Sequence, residues 1–158
     1  MSILKDSGMR QEFDTGAVRD VTEGKGRCDL LPLDVISELL KREYAYADIF
    51  ALIDKFMATM DEEYLYKAIL KFGKIRYRNT PDMLLELAIH FEDGCKKYGE
   101  RNWEKGMPVK RYMDSGIRHY LKWLRGDEDE PHDRAFVWNM VCAIWTLKHK
   151  GEDNDKKV

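Results

Sequence analysis

The chain is poor in cysteine and proline, carries no strong excess of either charge, and contains no long apolar run. Each shortage removes a class of protein. Its three cysteines, Cys28, Cys95 and Cys142, are far apart, odd in number and form no CxxC pair. Neither a disulfide framework nor a thiolate zinc site follows from that spacing. Cys95 and Cys142 fall on predicted helix faces as small hydrophobes. A net charge of −2 lacks the basic excess of a general nucleic-acid binder, although local basic clusters remain able to meet a small phosphate ligand. No apolar stretch is long enough to span a bilayer. The first residues are polar and lack the apolar segment of a secretory signal, so a reducing, cytoplasmic setting is expected, with no membrane partner. Few stretches alternate with period two, and no sheet is expected. What remains is 44% hydrophobic and 35% charged, ordinary for a well-solvated globular protein. At 158 residues it fits one domain, residues 1–158, able to bury a core without staples.

The four prolines and several glycines punctuate this domain. Residues 1–31 show no amphipathic period. Gly8, Gly16, Gly24 and Gly26 interrupt a run dense in Arg10, Asp14, Arg19, Asp20, Glu23, Lys25 and Arg27, which reads as an extended arm or ordered loop. Pro32 suits the first turn of a helix ending near Lys41. Helical spacing of Ile49, Leu52, Ile53 and Phe56, and of Leu65, Ala68, Ile69 and Phe72, predicts helices over about 44–58 and 61–73, with Asp61 as N-cap of the second. Thr80-Pro81 and Gly99 bound a helix over about 81–98; Pro108 and Gly126 bound the next; Pro131 opens the last, to about Lys148. These elements predict an all-α helical bundle with an extended N-terminal arm.

Projection at about 100° per residue separates the faces. Over 81–98 the apolar side gathers Leu84, Leu87, Ala88, Phe91, Cys95 and Tyr98, while Glu86, His90, Asp93 and Lys97 form a stripe expected to be solvated; Glu92 sits at the apolar edge. Over 108–125, Asp114 and Arg118 are four apart, the spacing of an ion pair, and His119 lies on the other flank. The last helix is apolar around most of its circumference, yet His132, Asn139 and Thr146 recur at i, i+7 and i+14. Buried amide and imidazole groups cost roughly 1–3 kcal/mol each when unpaired, so the stripe needs partners. A hydrogen-bond network with a neighbouring helix, a metal and a ligand all remain open. Between helices, Lys97 to Gly106 interleaves Lys97, Arg101 and Lys105 with Tyr98 and Trp103. Such a loop can cradle phosphates and stack a base, or be a charged turn with an aromatic anchor.

Several blocks occur together and in order: Gly16-Ala17-Val18-Arg19-Asp20, Glu23-Gly24-Lys25-Gly26-Arg27 with Asp29 to Pro32, and His90-Phe91-Glu92-Asp93-Gly94 through Arg101-Asn102-Trp103-Glu104-Lys105-Gly106. Asp114-Ser115-Gly116-Ile117-Arg118-His119 and Asp129-Glu130-Pro131-His132 with Trp138-Asn139 complete the set. It resembles the phage and prophage dATP/dGTP diphosphohydrolase family, thought to be distantly related to MazG-like all-α nucleotide pyrophosphohydrolases. The resemblance covers about 8–33 and 83–149, leaving about 42–80 as a helical insertion before core helices over 81–149.

This resemblance implies a MazG-like bundle that hydrolyses a purine deoxynucleoside triphosphate to the monophosphate and pyrophosphate. It also implies a divalent cation, magnesium or alternatively manganese, and assembly as a homo-oligomer. Glu92 and Asp114 are then the candidate metal carboxylates. His119, His132 and Asn139 would orient water, bind metal or contact the base. Arg19, Lys25, Arg27, Lys97, Arg101, Lys105 and Arg118 would bind phosphates, and Trp103 would stack the base. MazG-like sites draw carboxylates from EExxE and ExxD helices; here Glu92-Asp93 has no third acid three residues on, and Asn139 stands where an aspartate is expected. Two further functions fit the residues. His132-Asp133 is an HD dipeptide, as in metal-dependent phosphohydrolases that release a whole triphosphate, although Asp133 projects about 100° from His132. A non-enzymatic interaction module, with a polar stripe fixing register, is the other.

Overall fold

The computed structural model describes residues 8–43 and 48–151. Among the described residues there are six α-helices and two short strands: β1 (Arg10–Glu12), β2 (Val18–Asp20), α1 (Leu33–Lys41), α2 (Ile49–Thr59), α3 (Glu63–Arg76), α4 (Thr80–Tyr98), α5 (Val109–Arg125) and α6 (His132–Lys150). The fold is all-α, as expected. The first four residues of the helix expected over 44–58 lie outside the described residues; the remainder is α2. None of the described helices is long and apolar enough to cross a membrane.

The chain divides into two compact units, Leu30–Leu84 and Met1–Asp29 with Leu85–Val158, the boundary falling within α4. In the first, α1 packs on α2 and α2 on α3. Ile49, Phe50, Ile53 and Phe56 meet Leu65, Ala68 and Phe72 in a core closed to solvent. The N-cap of α3 is Glu62 rather than the expected Asp61, which lies one residue further out with its carboxylate accepting the Glu63 amide at 3.0 Å. Gly73 lets Met83 approach, since a Cβ there would stand 3.1 Å from the Met83 sulfur.

In the second unit α5 packs along α6. Their close approach is made at Gly116, where an added Cβ would fall 2.4 Å from Met140 Cε and 3.3 Å from Asn139 Cβ. Gly126, at φ +88°, ends α5 in the left-handed conformation that glycine adopts without strain. As the apolar circumference requires, α6 is buried nearly all round, and His132, Asn139 and Thr146 are buried with it.

Two expectations are corrected here. A sheet exists: β1 and β2 pair antiparallel with Gln11 opposite Arg19. Three residues per strand are too few for a period-two pattern to register. The arm is therefore a hairpin, and Asn102 ties it down, its Oδ1 accepting the Val18 amide and its Nδ2 donating to the Val18 carbonyl, each at 2.9 Å. The face of α4 is also different. Leu84, Ala88 and Ile89 are exposed while His90 is buried. The charges on the expected solvated stripe find partners on other elements: Asp93 with Arg134 at 2.7 Å and Lys97 with Asp20 at 2.9 Å. Those long-range pairs and the aromatic cluster beneath them turn this stripe inward.

Candidate functional site

Three helices and the arm enclose a cavity of about 440 Å³ in the second unit. Each helix contributes residues at its own repeat, because positions three and four apart share a face. α4 supplies His90, Gly94 and Lys97. α5 supplies Arg111, Ser115, Arg118 and Lys122. α6 supplies Ala135, Trp138 and Asn139. The arm adds Arg19, Asp20, Thr22 and Lys25.

The lining is strongly cationic: six basic side chains against the carboxylates of Asp20 and Glu130. Burial pulls Lys25 below its ordinary pKa, opposed by Asp20 and reinforced by Arg118, Lys97 and Arg19. Burial likewise brings Arg111 down to about 10, with Arg19 adding to the shift. Cations that disfavour one another in a confined space hold a positive potential suited to a polyanion.

Most of these side chains are fixed. Arg118 donates to Asp114 at 2.6 Å and to the Lys25 and Gly26 carbonyls, binding α5 to the arm. Arg111 donates to Gln11 Oε1 at 2.6 Å and to the Asp20 carbonyl at 2.7 Å. Its buried Nε has no partner among the described residues. Arg19 donates to Asn139 Oδ1 at 3.2 Å and lies 5.3 Å from the centre of the Trp138 ring. Asn139 Nδ2 donates to the Ala135 carbonyl at 2.8 Å, leaving its second amide hydrogen uncommitted among the described residues. Trp138 is backed by His90, Phe91 and Tyr112 at centroid separations near 6 Å. Burial pushes His90 down to about 3, with Arg134, Arg19 and Lys97 adding to the shift, so it is neutral at pH 7.

His119 also lines the cavity, and its Nδ1 stands 2.9 Å from Nδ1 of His132. His132 Nε2 meets Asp129 Oδ1 at 2.7 Å. Burial, followed by His132, holds His119 well below its usual range. His119, Glu130 and His132 each present a donor atom within 4.8 Å of the others.

The structure thus brings Arg19, Lys25, Lys97, Arg118, His119 and Asn139 into one cavity, with His132 behind His119. Asp114 and Arg27 line a second cavity, of about 360 Å³. Both oxygens of Asp114 are engaged, one by Arg118 and one by the Asp29 amide at 3.2 Å. Arg27 pairs with Asp29, holding that carboxyl below its ordinary range. Glu92 is exposed and lines neither cavity, so the two expected magnesium carboxylates do not meet in either. Arg101 pairs with Glu104 and Lys105 is exposed. Trp103 is packed edge-on between Phe91 and Trp145, at 5.3 and 5.0 Å, as a structural anchor. Sequence reasoning passed over Arg111, Lys122, Trp138 and Glu130. The basic triplet Arg111, Arg118, Lys122 at i, i+7 and i+11 was the available signal.

A sequence model of the dATP/dGTP diphosphohydrolase, N-terminal family matches residues 66–156, more than half of the chain. No curated protein and no solved structure matches it. The chain belongs to the dATP/dGTP diphosphohydrolase N-terminal family.

Proposed function

We propose that this family member hydrolyses dATP and dGTP to the nucleoside monophosphate and pyrophosphate in the larger cavity. The observation that carries the reading is six basic side chains converging with an indole in a volume within the usual range for small-ligand sites. Phosphoryl transfer asks a protein mainly for positioning and for stabilisation of charge on the phosphate oxygens. Arg118, held by Asp114 and two carbonyls, and Arg111, held by the arm, need no reorganisation to meet that charge. Lys25 and Lys122 add further ammonium donors, and Lys97 adds one held at 2.9 Å by Asp20. Trp138 offers an aromatic face, and the remaining Asn139 amide hydrogen offers a donor to a base acceptor. A divalent cation, when bound, would neutralise phosphate charge and acidify an attacking water.

Incubating the purified chain with each dNTP and a divalent cation, with products separated by ion exchange, tests this. Pyrophosphate with dAMP or dGMP is expected. Tripolyphosphate with a nucleoside would replace the reading by the HD-type one, and no turnover by folded protein would favour the interaction module. Arg111→Ala is expected to lower kcat/KM by about 10²-fold, the usual loss on removing one preorganised donor. We further propose a homo-oligomer, supported by Leu85 and Ile89, 71% and 42% exposed on α4.

A further inference from the structure

We propose that His119, Glu130 and His132 form the seat of a divalent first-row transition-metal cation, with Asp129 orienting His132. The link to nucleotide hydrolysis rests on the reading above; the cation site itself does not.

Four observations converge on this cluster. His132 Nε2 faces the Asp129 carboxylate at 2.7 Å. A carboxylate on one ring nitrogen fixes the tautomer and leaves the other nitrogen's lone pair available, the arrangement common around metal-bound histidines. That other nitrogen, Nδ1, points at Nδ1 of His119 across 2.9 Å. Two nitrogens on adjacent octahedral positions, each ~2.1 Å from an ion, stand ~3.0 Å apart. The backbone also builds the pair deliberately. His119 lies on α5, Gly126 ends that helix, and the return through Asp129 and Glu130 delivers His132 as the first residue of α6. Finally, Glu130 brings an oxygen to the same point, all three donors lying within 4.8 Å of one another. Small side-chain rotations close that span to the ~4.2 Å or less that separates donors around one ion.

The donor set selects the cation. Magnesium takes oxygen donors and keeps its waters, whereas two imidazoles with one carboxylate suit later first-row ions, whose affinity rises from manganese to cobalt. His119 and Glu130 both line the cationic cavity, so open coordination positions would face the phosphates there.

Calorimetric titration of the full chain with MnCl2, CoCl2 and MgCl2 tests the site, with cobalt absorption as a second readout. Cobalt is expected to bind more tightly than manganese, and both more tightly than magnesium. His132→Gln and Glu130→Gln should each weaken cobalt at least roughly 10-fold while melting like the parent. Should either variant fold poorly, sub-stoichiometric manganese added to the unaltered chain is expected to broaden the ring NMR signals of His119 and His132 before those of His149. Unchanged affinity in both folded variants, magnesium binding as tightly as cobalt, broadening that spares the pair, or loss of binding in Glu92→Gln instead would each overturn the proposal. Cation binding at the cluster without dATP or dGTP turnover removes only the functional reading. Turnover that persists in cluster variants with weakened cobalt binding removes only the link between the cation and hydrolysis.

Discussion

The two units of the chain bury different things. In Leu30–Leu84 the buried side chains are almost wholly apolar, Ser37 being the one buried polar residue among those described. The other unit buries His90, Asn102, Asp114, Ser115, Arg118, His132, Arg134, Asn139 and Thr146. Apolar burial stabilises a fold directly, whereas buried polar groups must first recover their lost hydration through partners. The contrast separates a region built for stability from one that accepts a stability penalty to hold a charged cavity open.

The sharpest way to break this contrast is to remove one partner of a buried pair. Arg118→Met leaves Asp114 buried and unpaired, and a loss of about 3–5 kcal/mol in chemical denaturation is expected, with nucleotide binding abolished. Phe72→Ala should cost a similar 3–5 kcal/mol through the cavity it leaves, yet spare dATP affinity in the folded fraction. If Phe72→Ala also removes binding, the division of labour fails. Next in size, acidification should weaken the polar unit. His90 has its folded pKa depressed to about 3 against an ordinary 6.5, so below pH 6.5 the unfolded chain takes up a proton that the folded chain refuses. Stability contributed above that pH is lost as pH falls toward 3. About 2 kcal/mol should disappear between pH 7 and 5, read from denaturation midpoints, and His90→Phe should flatten the slope. Gly116→Ala should cost about 1–3 kcal/mol by forcing Met140 and Asn139 away, with a measurable fall in kcat. Smallest in stability is Leu85→Glu, expected within about 0.5 kcal/mol of the parent, but shifting light-scattering mass toward the monomer.

Where an element's cause is local, the sequence disclosed it. Pro32, Pro108 and Pro131 each precede the first residue of α1, α5 and α6, and Gly126 closes α5, because ring geometry and positive φ act on their own neighbours. The polar stripe of α6 was legible for the same reason, since helical repeat alone places His132, Asn139 and Thr146 in one column. The Asp114–Arg118 pair followed from spacing too. What was hidden depended on residues far apart in the chain. The strands β1 and β2 needed the amide of Asn102, and the inward turn of α4 needed Asp20 and Arg134. The phosphate loop expected around Trp103 could not be told from an anchor until Phe91 and Trp145 flanked it. Arg111 and Lys122 were in plain view, but a cation on a helix reads as solvated until the arm is laid across it.

The carboxamide of Asn102 has a consequence for the order of assembly. It grips Val18 across 84 positions of sequence, so the arm leaves the ribosome long before its anchor exists. Closing a loop of that size opposes folding by about 4 kcal/mol of chain entropy. Loop-closure entropy of this size predicts that the hairpin, and with it Arg19, docks late, after α4, α5 and α6 have formed a surface to receive it. On the proposed function, nucleotide capture would report on the last step of folding rather than the first.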